Sequence, residues 1–82
     1  MRYAIIVEKG KRNYSAYVPD VPGCIATGQT LEEVKQQMKE ALELHMEGML
    51  LDGESVPRPS TDCGYVSINL AKLDKGLREQ TR

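Results

Sequence analysis

Two hydrophobic periods divide this chain. Over residues 2–9 the apolar side chains fall on both parities. Tyr3, Ile5 and Val7 share one face and Ala4 and Ile6 the other, as expected for a strand covered on both sides. Gly10 to Asn13 reads as a turn, and residues 14–18 as a second strand joined to the first by a short hairpin. The run Pro19-Asp20-Val21-Pro22-Gly23 ends that strand, because proline removes ladder donors and glycine admits a reversed backbone. Residues 24–27 form a third short strand.

The period then changes. Leu31, Val34, Met38, Ala41, Leu42 and Met49 recur at helical spacing, with Glu, Lys and Gln between them. Thr30 is placed to cap this helix, Glu33 completes the capping-box spacing, and Glu32 and Glu33 suit the positive end of the helix dipole. The pattern predicts a helix over 31–51 with Gly53 as its C-terminal cap; Gly48 inside it costs about 1 kcal/mol against alanine. Residues 54–63 read as a loop stiffened by Pro57 and Pro59. Alternation resumes over 64–70, with Val66, Ile68 and Leu70 on one face and Tyr65, Ser67 and Asn69 on the other, predicting a fourth strand. The charged remainder, 71–82, reads as a short helix or a frayed tail.

The predicted fold is therefore α+β, in the order β-β-β-α-β: one domain over residues 1–70, followed by the tail. Three strands form an antiparallel meander. The helix crosses it, and the fourth strand pairs with the first in the spatial order 3-2-1-4. One helix covers one face only. A small domain with apolar side chains on its other face hides them against another polypeptide, which predicts a homodimer or homotetramer.

Composition narrows the functional classes. With 82 residues there is room for a single small core, and with no Trp or Phe that core must be aliphatic. The formal net charge is -1, and the basic residues form no continuous face, which argues against strong nucleic-acid binding. Lys9, Lys11 and Arg12 do cluster at the first turn. They read as a solvated hairpin tip, with a weak RNA contact as the alternative, in which Tyr3, Tyr14, Tyr17 and Tyr65 would stack on bases. Two cysteines make no disulfide framework. The N-terminal apolar run is too short for a signal peptide or membrane span, so a cytoplasmic location with free thiols is expected.

Several motifs together carry a resemblance. The run Tyr14-Ser15-Ala16-Tyr17-Val18-Pro19-Asp20-Val21-Pro22-Gly23-Cys24, then Ala26-Thr27-Gly28, then Thr30-Leu31-Glu32-Glu33-Val34, and later Val56-Pro57-Arg58-Pro59, resembles the HicB antitoxin family. The resemblance implies a partial ribonuclease-H-like or double-stranded-RNA-binding-like sandwich. It also implies a role in binding and occluding a HicA-like toxin, a small ribonuclease that cleaves messenger RNA. Many such proteins carry a C-terminal DNA-binding module. This sequence matches a short form without one, so DNA binding is not expected.

The residues offer little catalytic chemistry. Ribonuclease-H chemistry needs carboxylates converging on metal ions, yet the first strand carries only Glu8, and Asp20, Asp52, Asp62 and Asp74 fall in turns or the tail. His45 lies on the apolar stripe and reads as a core or boundary histidine. Cys24 and Cys63 read as small buried hydrophobes, and Met38, Met46 and Met49 as core packing. No catalytic residue, metal site or cofactor is assigned. The candidate partner contacts are Tyr17, Pro19, Asp20, Pro22, Gly23 and Cys24, where a rigid turn loses little entropy on binding. Tyr3, Ile5, Val7 and Tyr65 are the candidate oligomer or partner face. Direct RNA binding and a stand-alone protein-interaction role are the alternatives.

Overall fold

The computed structural model describes residues 1–80, with side chains through residue 76. Its elements in chain order are β1 (Ile6–Lys9), β2 (Tyr14–Tyr17), β3 (Ile25–Gly28), α1 (Leu31–Leu51) and α2 (Leu70–Gln80). β1 and β2 are shorter than the alternation suggests, β3 is shifted by one residue, and the three form an antiparallel sheet in the order β1-β2-β3. Val7 pairs with Ala16 and Ala16 with Ala26, while Ile6 pairs with Tyr17 and Tyr17 with Ile25.

That register decides which face α1 covers. Ala16, Val18 and Cys24 are buried against Val34 and Met38 of the helix, with Val21 completing the core. Tyr3, Ile5, Val7, Tyr14 and Ala26 pack at its edge, as do Ala41, Leu42 and Met46 of α1. The helix lies mainly across β3 and, to a lesser extent, β2. Two side chains of α1, one turn apart, are fully buried, and the stripe opens towards the C-terminal end.

Close approach of helix and sheet explains Gly28. A Cβ at this buried position would lie 2.6 Å from the backbone nitrogen of Val34 and 2.9 Å from its Cα. At the helix start, the Thr30 hydroxyl accepts a 3.0 Å hydrogen bond from the Glu33 backbone N–H. At the helix end, Gly53 (φ 75°) donates to the Leu50 carbonyl at 3.1 Å and Glu54 to the Met49 carbonyl at 2.9 Å. This pair of bonds is the Schellman arrangement, which satisfies carbonyls the helix leaves open.

The chain returning from α1 is tied to the β2–β3 turn by one carboxylate. Asp20 accepts from the Ser60 N–H at 2.8 Å, the Ser60 hydroxyl at 2.9 Å, the Thr61 N–H at 3.0 Å and the Thr61 hydroxyl at 2.7 Å. The Tyr3 hydroxyl donates to the Pro57 carbonyl nearby. Led by the Thr61 hydroxyl, these donors hold the Asp20 carboxyl well below the usual carboxylate range.

Beyond this latch the structure departs from expectation. Residues 62–69 carry no regular secondary structure, so the fourth strand does not form within the chain and the observed sheet lacks the expected fourth position. Alternating side chains make a segment compatible with a strand, but only a neighbour's N–H and C=O groups make it one. Leu70, expected to end that strand, instead opens α2. The Asn69 side chain accepts from the Lys72 N–H at 3.0 Å and caps that helix. Residues 81–82 of the expected tail lie outside the described residues. Two smaller expectations also fail: His45 and Cys63 are both exposed. His45 sits on the later part of α1, where the helix has run past the sheet.

Two measurements test this account. Gly28→Ala forces the backbone around Val34 to shift, and urea unfolding should show a loss of about 1–3 kcal/mol. For Asp20 the folded-state pKa lies below the unfolded value of about 3.9, so its contribution is complete above about pH 4 and is lost as the pH falls below that. The stability gap between the parent chain and Asp20→Ala should therefore be widest at neutral pH and narrow by pH 2.5, measured as the difference in urea midpoints.

Candidate partner-binding surface

The turn between β2 and β3 is built from two successive reversals. The Val21 N–H donates to the Val18 carbonyl at 3.1 Å, and the Cys24 N–H to the Val21 carbonyl at 3.2 Å. In the second, Pro22 precedes Gly23 at φ 86°, the proline-glycine order that a type II turn favours. Val21 is buried between the two reversals and anchors the loop to the core. Pro19, Pro22 and Gly23 are left exposed on a loop that has little freedom to lose.

The other turn candidates divide by role. Asp20 spends its carboxylate on the internal latch. Cys24 is buried, its thiol donating to the Met38 sulfur at 3.8 Å. Burial pushes the Cys24 thiol pKa up, so it behaves as packing and not as a nucleophile. Tyr17 is 44% exposed and points away from α1.

Tyr17 belongs to a row on the uncovered sheet face. The register sets Ile6, Tyr17 and Ile25 side by side across the three strands, with Ile25 71% exposed. The adjacent row on that face carries Glu8, Ser15 and Thr27, so the apolar row has a polar border on that side. Ile25 was missed by sequence reasoning. The signal was its place one residue after Cys24, on the opposite parity from the buried Cys24 and Ala26, but choosing the outward parity required knowing which side the helix takes.

Tyr3, Ile5, Val7 and Tyr65 meet in a different way from the expected open sheet face. The first three lie on the helix-covered side, half-buried against the core. Because α1 leans towards β3, it leaves β1 under-covered. A groove of about 520 Å³ remains, lined by Tyr3, Ile5, Val7, Leu31 and Lys35 and bordered by Thr61, Asp62, Cys63 and Tyr65.

A third feature is the first hairpin tip. Lys9, Lys11, Arg12 and Tyr14 border a concavity of about 250 Å³, and the Lys9 ammonium lies 6.0 Å from the centre of the Tyr14 ring. Among the described residues, no group of three or more His, Cys, Asp or Glu side chains converges as a metal site. No helix among them is long and apolar enough to cross a membrane.

Comparison with known proteins gives this geometry a context. An uncharacterized 14.9 kDa protein of Haemophilus phage HP1 is 43% identical over 67 residues, covering 82% of this chain; the chain spans half of that relative's length. A UPF0150 protein of Archaeoglobus fulgidus is 40% identical over 77 residues, covering 93% of this chain and all of the relative. Among solved structures, a chain of a HicA3 and HicB3 toxin-antitoxin complex superposes with a TM-score of 0.64 at 30% identity, covering 73% of this chain and 70% of that one. The family profile described as the HicB-like antitoxin of bacterial toxin-antitoxin systems matches residues 3–75, and on that match the chain belongs to the HicB-like antitoxin family.

Proposed function

We propose that this chain neutralises a HicA-like toxin, a small messenger-RNA-cleaving protein, by binding and covering its working surface. The observation that carries the reading is the pairing of family membership with the open Ile6–Tyr17–Ile25 row beside a rigid turn. An apolar strip bordered by polar residues has the anatomy of a protein interface, with a dry centre and a wet rim. Tyr17 suits its centre: it offers a large amphipathic surface with few rotatable bonds. Inhibition of this kind works by occlusion and calls for no reacting group on the antitoxin.

The competing reading is RNA binding through the Lys9, Lys11 and Arg12 turn, favoured by the concavity there and by the neighbouring Tyr14. The net charge of -1 weighs against it, because phosphate binding draws on a field that the acidic residues here cancel. DNA binding has still less support on this surface. A cytoplasmic setting is consistent with free cysteines, and a partial ribonuclease-H-like sandwich would follow if a fourth strand joined the edge of β1.

The test is co-expression with the product of the neighbouring reading frame, which this reading expects to be a small basic protein. A stable, copurifying complex that silences its ribonuclease activity is expected; failure of the two chains to associate would remove the proposal. Ile25→Asp and Tyr17→Asp change exposed positions and should leave the fold intact. Each should weaken the complex at least tenfold by calorimetry, about 1.4 kcal/mol or more. In a filter-binding titration with RNA alone, no salt-sensitive affinity is expected.

A further inference from the structure

We infer that residues 64–69 act as an exchanged strand, pairing with the free edge of β1 in a second copy of this chain while that copy returns its own segment. The juxtaposition is an extended apolar arm without a partner and an under-covered sheet edge without a neighbour, in the same molecule. This goes beyond the antitoxin reading and does not rest on it.

The arm is strand material exposed to solvent. Tyr65 is 100%, Val66 91% and Ile68 71% exposed, and Leu70 and Leu73 continue the apolar surface into α2. Such a run has the alternation of a half-buried strand and is costly to leave in water. It has a fixed root, because the Asp20 latch holds Ser60 and Thr61, and a defined end, where Asn69 caps α2.

The overall dimensions show that the chain by itself is not folded back into one body. Its radius of gyration is 18.6 Å, against roughly 12 Å for a compact chain of this length. Its longest extent is 64 Å. The accessible surface is 7125 Å², about 2,000 Å² more than the ~4,900 Å² that size scaling gives for a compact 9.2 kDa chain. That excess, carried by each chain, exceeds the roughly 800 Å² per partner that a standard two-protein interface buries, so one exchanged contact has ample surface to draw on.

The receiving site is equally specific. Among the described residues, β1 has β2 on one side and no strand on the other. On its helix side the groove over Tyr3, Ile5 and Val7 is bordered by Thr61, Asp62, Cys63 and Tyr65 of the same chain but is not filled by them. A strand laid along that edge with Val66 and Ile68 towards the helix layer would roof the groove. Tyr65, Ser67 and Asn69 would then join the open face. Slipping the register by one residue would reverse the two sets and expose the apolar one, so burial selects the first arrangement. A second copy is the occupant because each chain offers both halves of the contact, which closes a two-fold dimer in which neither β1 edge is left unpaired.

The experiment uses the full chain without any toxin. Light scattering should give a dimer. Ile68→Pro, which removes a ladder donor, and Val66→Glu, which charges the buried face, should each raise the dimer dissociation constant at least tenfold while circular dichroism stays unchanged. A dimer indifferent to both would overturn the inference, as would a monomeric parent chain. Pairing is then read by a short bismaleimide in a Cys63→Ser background. Chains carrying Glu8→Cys, mixed and refolded with chains carrying Ser67→Cys, should cross-link to each other. Two results would contradict the exchange. One is coupling only within a chain bearing both cysteines, which means the arm closes on its own sheet. The other is coupling of Ser67→Cys chains only to one another, which means arms pair with arms.

Discussion

Contact between Val34 and Met38 of α1 and the layer of Ala16, Val18, Val21 and Cys24 is what everything else in the domain is arranged around. It is a small core, and apart from Met38 its side chains are short. Their size lets the helix sit close to the sheet, and Gly28 exists to allow that approach. The helix packs mainly on β3 and less on β2, and the under-covered edge of β1 follows from that placement.

The second consequence concerns the motif around Asp20. A loop rich in proline and glycine invites reading as a contact surface. Here its carboxylate is turned inward and receives four hydrogen bonds from Ser60 and Thr61, residues forty positions away. The turn therefore does two things at once. It reverses the chain between two strands, and it sets the point from which the chain leaves the domain. The exposed prolines remain available to a partner precisely where the backbone is already held.

The two apolar surfaces are distinct and face different ways. The Ile6–Tyr17–Ile25 row lies on the sheet's uncovered face, whereas the groove over Tyr3, Ile5 and Val7 lies on the helix side of β1. Toxin binding on the first and strand exchange at the second would not compete for the same side chains. A strand added at β1 would even widen the first surface, since its outward residues would extend the open face.

Local chemistry was legible along the chain. Thr30 and Gly53 marked the ends of α1, the two-residue alternation marked the hairpin, and Pro22-Gly23 marked the turn, because each depends on backbone preferences within a few residues. The family signature was legible for the same reason, being a string of such local features. Three matters depended on long-range contacts and were decided only in the folded chain. The side of the sheet taken by α1 determined that Ile25, and not Ile5, faces outward. The Asp20 carboxylate found its partners across the turn, so a residue that looked free for a partner was committed. The segment over 64–69 had the pattern of a strand but no neighbour to pair with, since hydrogen bonding between strands is a property of two segments and alternation is a property of one.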